Sequence, residues 1–383
     1  MGRRRSTTSI TWTGATRTSS SSSNIWAPTS PGSRARPTFV PISPGSWGIE
    51  GGVLTKKIGI DLGTSTVLVY VKGEGVVLNE PALMATDEKG ARVLAVGRAA
   101  SELLGRGGKT RAIRPVLAGD GVDYNAAGVM LQHLIGRIVG RQRIFRPDVM
   151  LSVAPMVTGV ERRTVLEATM QAGAKTAYLI DKPMAAAIGA RVSVATTDGI
   201  LVVNLGAGST DLAAIAHGEM LAIDSIRIGG DALDRAIEAA LDRRHRQTLG
   251  PGEAERLKLE IGSATPSAAA TWLDVAAGEG ATHPLRVTAA EVQQAIQEPL
   301  ATIAASLQRL LAQVPDARRA AVQRNGAVLT GGGAQLRGIA EYLAARAGIP
   351  VRVARDPQSC VAVGTGMALD NLQVIRRGQH YIT

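Results

Sequence analysis

Two strand–turn segments of this sequence combine the residue types that bind phosphate. In the first, IGIDLGTST at Ile58–Thr66, an apolar strand reaches Asp61 and is followed by Gly63, Thr64 and Ser65. Glycine at a strand end lets the backbone approach a phosphate closely, and adjacent N–H groups form a nest for an anion. Asp61 can hold Mg²⁺ through water, because carboxylate oxygens are the hard ligands that this cation prefers. Alone, this segment is a weak signal, since a strand followed by such a turn is common.

The second segment, LVVNLGAGSTD at Leu201–Asp211, is a near copy of the first. Asn204 takes the place of the acidic residue near the strand end, and Gly206, Gly208 and Ser209 form the turn. An internal repeat of this kind indicates a duplicated topology. We therefore expect two halves of the chain that close on one phosphate chain.

A third glycine cluster, VLTGGGA at Val328–Ala334, lies between a predicted strand and a predicted helix. Gly331, Gly332 and Gly333 have no side chains, so a flat nucleobase and its ribose can lie against the backbone there. The competing interpretation is a chance run of turns in a glycine-rich chain. Because all three clusters follow strands, we favour a nucleotide site in a cleft.

The elements around these clusters follow the same order in both halves. The first half begins with a β-meander at 57–61, 66–71 and 75–80, continues with a small inserted unit at about 82–109, and ends in an αβαβα series. The second half has a meander at 200–204, 211–216 and 220–226 and an insertion that reaches about 287. This pattern predicts an α/β protein of two domains with duplicated βββαβαβα cores and a nucleotide cleft between them.

Local signals predict where several helices begin. Thr158–Glu161 and Thr288–Glu291 have the Thr-x-x-Glu spacing of a capping box, in which the two side chains satisfy free backbone N–H groups at a helix start. The second box is expected to open one long helix that continues to Leu311. A single helix is also expected over Ala334–Ala347.

The predicted domain bounds are 53–190 and 191–375, with inserted subdomains at about 82–109 and 230–287. Residues 1–52 are rich in Ser, Thr and Arg and show no sustained period, which predicts a disordered tail. A membrane or partner arm is the alternative for this tail, because three of the four tryptophans lie in it (Trp12, Trp26 and Trp47). Residues 376–383 are expected to form a short C-terminal tail.

Composition limits the classes of protein to consider. Cys360 is the sole cysteine of the 383 residues, so neither an intrachain disulfide nor a cysteine metal site is possible, and a reduced cytoplasmic setting is expected. No apolar run is long enough for a spanning helix, and no secretory signal is recognisable at the N-terminus. The net charge of +11 invites a nucleic-acid interpretation. The arginines are scattered, however, so we expect no nucleic-acid partner, and the charge could equally serve an anionic membrane surface.

Several longer stretches resemble the MreB family of bacterial actin homologues, within the superfamily of actin, heat-shock chaperones and sugar kinases. They include IGIDLGTSTVLVYVKGEGVVLNEPAL, AIRPVLAGDGVDY, VERRTVLEATMQAGAKTAYLIDKPMAAAIGA, RIGGDALDRAI, AERLKLEIGSA, VLTGGGAQLRGIAEYL and GIPVRVARDPQSCVAVGTGMAL. In order and with similar spacing, they span about Lys57–Leu372. The resemblance implies an actin-like fold, ATP and Mg²⁺ as cofactors, and a filament of identical subunits.

The resemblance also assigns roles to the clusters, residue by residue. The first phosphate loop consists of Asp61, which is also the metal-side residue, with Gly63, Thr64 and Ser65. The second loop consists of Gly206, Gly208 and Ser209. The adenosine contacts Gly331, Gly332 and Gly333, while Glu255 and Lys258 lie near the ribose and base. We therefore expect one nucleotide site that draws on both halves.

Two positions depart from the family pattern where hydrolysis would be carried out. The family usually has Glu before the proline of the segment that here reads Asp181-Lys182-Pro183, and that Glu positions or activates the attacking water. Lys182 cannot accept a proton from water while it is charged. Asn204 replaces the usual Asp of the second loop and carries no charge to attract Mg²⁺. Asp181 is a candidate substitute acid, although its side chain should point away along the strand.

A short loop is the candidate membrane contact. In the resembled family a loop at this place carries an apolar pair that enters the membrane, and Ile144 and Phe145 fit it. Arg141, Arg143 and Arg146 would then meet anionic headgroups, each contributing about 1 kcal/mol. The alternative is a solvated loop with Phe145 in the core.

We thus expect a filament-forming cytoskeletal protein of cell shape and lateral cell-wall synthesis, with weakened ATP hydrolysis because Lys182 and Asn204 replace two carboxylates. Its expected location is the cytoplasm, peripheral on the inner face of the cytoplasmic membrane. Expected partners are copies of itself, a paralogous subunit, the membrane surface and the cell-wall synthesis complex. The alternatives are an active ATPase of the same fold, or a chaperone-like or sugar-kinase-like member of the superfamily.

Overall fold

The structure is a computed structural model that describes residues 55–117, 121–140, 146–266, 271–276, 278 and 283–372. The predicted tails at 1–52 and 376–383 lie outside the described residues. The predicted membrane pair, Ile144 and Phe145, lies outside them as well. These three expectations therefore stay predictions from sequence.

The first half of the described chain alternates strands and helices. Its strands are β1 Lys57–Leu62, β2 Thr66–Val71, β3 Gly75–Pro81, β4 Met84–Asp87, β5 Val93–Val96, β6 Thr110–Ile113, β7 Val116–Leu117, β8 Gly121–Val122, β9 Asp148–Val153 and β10 Thr176–Asp181. Its helices are α1 Arg98–Gly105, α2 Tyr124–Val139, α3 Gly159–Gln171 and α4 Lys182–Gly189.

The second half begins with another run of three strands. Its strands are β11 Ile200–Leu205, β12 Thr210–Ala216, β13 Glu219–Ile226, β14 Trp272–Val275, β15 Leu285–Thr288, β16 Ala327–Thr330 and β17 Val351–Val353. Its helices are α5 Gly230–His245, α6 Glu253–Ile261, α7 Ala289–Ala295, α8 Gln297–Gln313, α9 Asp316–Asn325, α10 Ile339–Ala347 and α11 Cys360–Asp370, with a 3₁₀ turn at Gly332–Gln335.

Each half builds a five-stranded mixed sheet, and the two sheets have the same strand order. The first runs β10-β9-β1-β2-β3, and the second, read in the same direction, runs β17-β16-β11-β12-β13. In both, an antiparallel meander continues through parallel pairing with two later strands. The strands β4, β5 and β6 form a separate small sheet that falls in and just beyond the predicted first insertion. The predicted domain bounds themselves stay a prediction.

Aliphatic side chains fill the cores on the faces of both sheets. The central strands β1 and β11 are buried on both faces, as expected for strands with neighbours on either side and helices above and below. Helices α4 and α11 pack directly on each other between these cores. A Cβ at Gly364 would lie 1.8 Å from the Ala185 carbonyl oxygen, and one at Gly189 would lie 1.8 Å from that of Cys360. Only glycine therefore permits this close crossing.

Both predicted capping boxes are confirmed, because their signal is local. Thr158 with Glu161 caps α3, and Thr288 with Glu291 caps α7, each with reciprocal side-chain to backbone bonds. The prediction of a single long helix after the second capping box is wrong. It breaks at Ile296 into α7 and α8, three residues before Pro299, whose ring nitrogen cannot donate a helical hydrogen bond.

Two further elements differ from the sequence prediction. The helix expected over Ala334–Ala347 is a 3₁₀ turn followed by α10, which starts after Gly338 in the left-handed conformation. Helix α9 was not predicted. Its sequence DARRAAVQRN buries a single side chain, Val322, so it shows no apolar period.

None of the helices that the structure describes is long and apolar enough to cross a membrane.

Candidate nucleotide site

A cavity of about 390 Å³ is lined by residues from both five-stranded sheets and from the segments that follow them. The structure brings every predicted cavity residue to its wall, although nothing in the structure assigns their roles. These residues are Asp61, Gly63, Thr64, Ser65, Lys182, Asn204, Gly206, Gly208, Ser209, Glu255, Lys258, Gly331, Gly332 and Gly333. The sequence clusters thus converge on one place.

The two turns that face this cavity have the same geometry. The Gly63 N–H donates to the Thr66 carbonyl oxygen at 3.1 Å, and the Gly206 N–H donates to that of Ser209 at 2.9 Å. In the first turn a Cβ at Gly63 would lie only 2.6 Å from the Thr66 carbonyl oxygen. Glycine at the start of this turn therefore lets the chain fold back tightly enough to begin the next strand.

Asp61 lies near the end of β1 and has two close partners. The Ser152 hydroxyl donates to its Oδ1 at 2.7 Å, from the neighbouring parallel strand β9. The Lys182 ammonium lies 3.5 Å from the same oxygen. Its side chain is 15% exposed and that of Asp61 14%, so the pair is largely shielded from solvent. Asp61 therefore faces the cavity as part of an ion pair.

Asn204 and Asp211 lie opposite each other in the β11–β12 ladder. The Thr330 hydroxyl donates to Asn204 Oδ1 at 3.1 Å. The fully buried Asp211 accepts from the Ser225 hydroxyl at 2.6 Å and from the Ser209 hydroxyl at 3.2 Å. Burial raises the pKa of the Asp211 carboxyl, although the Lys182 charge and the two hydroxyls act in the opposite direction.

The glycines of the third cluster have two different structural roles. Gly331 has a φ of +83°, and a Cβ there would lie 2.3 Å from the Leu205 carbonyl oxygen. A Cβ at Gly333 would lie 2.4 Å from the Leu205 Cγ, whereas one at Gly332 would meet open space. Gly331 and Gly333 thus let this turn pack on β11, and Gly332 leaves the cavity wall flat.

Lys258 is held in place by contacts within its own half of the protein. Its ammonium donates to the Asp234 carboxylate at 2.8 Å and to the Gly230 carbonyl oxygen at 3.2 Å. Burial raises the pKa of the Asp234 carboxyl, and the Lys258 charge opposes that shift. Glu255, one turn earlier on α6, is exposed at the cavity rim. The two predicted base-side residues therefore share one helix.

Comparison with known proteins gives the family of this chain. The sequence matches the family model described as MreB/Mbl protein over residues 55–377. This chain belongs to the MreB/Mbl family. It is 40% identical over 333 residues to the cell shape-determining protein MreB of Escherichia coli (strain K12), covering 84% of this chain and 96% of that protein. It is 35% identical over 324 residues to the cell shape-determining protein Mbl of Bacillus subtilis (strain 168), covering 84% and 97%.

Solved structures agree with the MreB/Mbl assignment. A crystal structure of MreB5 of Spiroplasma citri bound to ADP has a TM-score of 0.77 at 28% identity, covering 83% of this chain and 97% of that one. The same protein bound to AMPPNP gives a TM-score of 0.76, again at 28% identity, covering 84% and 98%. A MamK double helical filament, at 19% identity, shows the fold alone, with a TM-score of 0.71 and coverage of 83% and 99%. The predicted actin-like α/β fold is confirmed.

Asp181, the candidate substitute acid, points away from the cavity of this MreB/Mbl protein. It is 2% exposed and is ion-paired with Arg162 of α3. Lys182 is the next residue and the first of α4, and its side chain lines the cavity. Neighbouring residues at a strand end thus point in different directions, as the alternation of side chains along a strand predicts.

Sequence reasoning missed two groups at the site. Asp211 ends the quoted LVVNLGAGSTD segment, and its position opposite Asn204 follows from the hairpin, so pairing the two strands would have found it. Ser152 lies 91 residues after Asp61, and no local pattern connects the two. Only the parallel pairing of β1 with β9 brings this hydroxyl to the carboxylate.

The donor set at the strand ends does not fit a divalent cation held by the protein. Mg²⁺ at a nucleotide usually takes one or two carboxylates. Here the charge of Asp61 is balanced by Lys182, Asn204 carries no charge, and Asp211 is fully buried and hydrogen-bonded to two serine hydroxyls. Within the part of the chain that the structure describes, no group of three or more His, Cys, Asp or Glu could hold a metal ion.

Proposed function

We propose that this chain is an ATP-binding, filament-forming subunit of the bacterial cytoskeleton that hydrolyses ATP slowly. The observation that carries the proposal is the Lys182 ammonium in the cavity, 3.5 Å from Asp61, where the family resemblance leads us to expect a glutamate. The ADP-bound and AMPPNP-bound forms of the Spiroplasma relative support a nucleotide in this fold. A cation at that position favours binding of a phosphate chain over activation of water.

Hydrolysis requires a water molecule that is oriented and relieved of a proton. Lys182, as a cation, cannot accept that proton. Three carboxylates close to Lys182 in the sequence or in the cavity are engaged: Asp61 with Ser152 and Lys182, Asp181 with Arg162, and Asp211 with two serine hydroxyls. Mg²⁺ at Asp61, which the resemblance implies, is not part of this proposal because the ammonium lies beside that carboxylate.

Phosphate release from the polymerised full-length protein tests slow hydrolysis. A Lys182→Glu/Asn204→Asp double variant restores both family carboxylates, and we expect it to release phosphate at least about 100-fold faster than the parent. The single variants are the matched controls. Lys182→Glu restores only the carboxylate that is expected to position or activate the attacking water, and Asn204→Asp restores only the negative charge of the second loop. A parent that already turns over at the rate of the double variant contradicts the proposal.

An active ATPase is the second candidate, and Asp211 favours it. This carboxylate lines the cavity, and its raised pKa moves it toward the range in which a general base works. If Asp211 is that base, Asp211→Asn abolishes a phosphate release that is fast in the parent. Slow release that is unchanged by Asp211→Asn supports the first proposal instead.

We propose further that the filament acts in cell shape and lateral cell-wall synthesis, as a peripheral layer on the inner face of the cytoplasmic membrane. The names of the relatives, cell shape-determining proteins MreB and Mbl, support the first part. The filament formed by MamK supports self-assembly in this fold. A paralogous subunit and the cell-wall synthesis complex are the further partners that we infer. Pelleting of the purified chain with ATP, alone and with a paralogue, tests assembly.

Membrane binding is assigned to Ile144 and Phe145, on the family resemblance and the arginines beside them. Co-sedimentation with anionic phosphatidylglycerol vesicles tests this assignment. We expect Ile144→Ser/Phe145→Ser to lose binding, while Val93→Ser/Leu94→Ser, which alters an exposed apolar pair elsewhere, retains it. Equal sedimentation of the parent and the loop variant contradicts the assignment. Deletion of residues 1–52 measures any contribution from the tail.

A further inference from the structure

The Lys182 side chain lines the cavity, and its ammonium has two long contacts. It lies 3.5 Å from Asp61 Oδ1 and 3.5 Å from the Leu62 carbonyl oxygen. Both distances are at the outer limit of hydrogen bonding, since N–H···O bonds cluster near 2.9 Å. The cation is thus retained near the carboxylate without a tight bond to either acceptor.

The other lysine of the cavity shows what a tightly held ammonium looks like. Lys258 donates at 2.8 Å to Asp234 and at 3.2 Å to Gly230, so its charge is used inside the protein. Lys182 has three N–H donors, and its contacts with Asp61 and Leu62 are both long. Donors that point into a cavity and lack short acceptors are suited to the oxygens of a phosphate chain.

Charge at the two strand ends leads to the same conclusion. Asp61 and Lys182 cancel, and Asn204, at the equivalent position of the second half, is neutral. The remaining carboxyl, Asp211, is fully buried, and burial raises its pKa, which disfavours its charged form. Such a set has little net attraction for a divalent cation. An incoming phosphate chain brings several negative charges, and Lys182 is the positive group already placed at the strand ends to meet them.

We propose that the Lys182 ammonium is the built-in counter-cation of the phosphate chain, so that this protein binds ATP without needing Mg²⁺. The inference rests on the proposed function, because it presupposes a nucleotide in this cavity. It assigns to a side chain the charge neutralisation that a metal ion supplies in other phosphate sites.

Isothermal titration of the full chain with ATP, in excess EDTA and in excess MgCl₂ at equal ionic strength, tests the inference. For the parent we expect dissociation constants that agree within about threefold in the two buffers. Lys182→Met removes the charge and keeps the apolar stem, and it should weaken binding about 10- to 100-fold in EDTA, the range expected for one charged hydrogen bond. Added MgCl₂ should restore part of that loss, and Lys182→Arg should bind as the parent does in EDTA.

Lys175→Met is the matched control, since Lys175 is an exposed lysine outside the cavity and its loss changes the net charge equally. Parent affinity that falls tenfold or more in EDTA, or Lys182→Met that equals the parent in EDTA, overturns the inference. The parent comparison needs no variant, so it decides the question even if Lys182→Met fails to fold. Absence of ATP binding in both buffers overturns the proposed nucleotide function itself, which is a different result.

Discussion

The two strand ends that meet at the cavity share a backbone plan and differ in where they place charge. In the first, Asp61 of β1 accepts from the Ser152 hydroxyl on the neighbouring parallel strand β9. In the second, Asn204 of β11 accepts from the Thr330 hydroxyl on the corresponding strand β16. The duplication thus extends to a hydroxyl on an adjacent strand.

The residue that pairs with each strand-end side chain across its hairpin differs in polarity between the two halves. Asp61 lies opposite the apolar Leu68, whereas Asn204 lies opposite Asp211. Each of the two hairpins therefore has one carboxylate in these paired positions. It lies on β1 in the first half and on β12 in the second, and its surroundings differ. The carboxylate of the first half meets an ammonium at the cavity wall, and that of the second is fully buried among hydroxyls. The backbone of a duplicated fold constrains its hydrogen bonds more strongly than its charges.

The largest expected difference between the halves lies one strand further out. Strand β10 ends in Asp181, which is 2% exposed and paired with Arg162, whereas the equivalent strand β17 ends in Val353, which is 40% exposed. Arg162→Met withdraws the guanidinium from a buried carboxylate and should lower the free energy of unfolding by about 3 kcal/mol. Denaturant unfolding measures the change. Arg163→Met, which removes an exposed pair with Glu167, should change little, and equal effects of the two variants would contradict a stabilising buried charge pair at the end of β10.

A smaller difference is expected between the two matching hydroxyls. Ser152→Ala removes a bond to a charged carboxylate and should cost about 2 kcal/mol, whereas Thr330→Val removes a bond to a neutral amide and should cost about 1 kcal/mol. The same unfolding measurement, made on both variants and their double, gives the comparison. A larger cost for Thr330→Val would show that the second strand end is the more rigidly built of the two.

The effect expected at Asp211 differs from these two because it depends on pH. Because burial raises the folded-state pKa of this carboxyl, its stabilising contribution is present at low pH and is lost as the pH rises through that raised value. Asp211→Asn can keep both serine contacts and has no proton to lose. Its melting temperature should match that of the parent at about pH 4 and exceed it increasingly toward pH 7. A gap that stays constant with pH would mean that Asp211 does not titrate in this range.

Predictions from local signals succeeded for physical reasons that can be named. The capping boxes at Thr158 and Thr288 formed because each side chain needs only a backbone group three residues away. The β-meanders were recognisable because their turns and alternation lie within a few residues. Helix α9 was missed because it buries a single side chain and so shows no apolar period, and the break at Ile296 was missed because apolar spacing continues across it.

By itself, the sequence determined the repeated strand–turn units, the residue types that line the cavity, and the replacement of two expected carboxylates by Lys182 and Asn204. Tertiary structure alone decided which partners those residues meet. Ser152 reaches Asp61, Arg162 neutralises Asp181, and Lys182 lies beside Asp61 across 121 residues of chain, counted from Asp61 to Lys182. Such pairs depend on strand order and register, which many distant contacts set together, so no local pattern of residues records them.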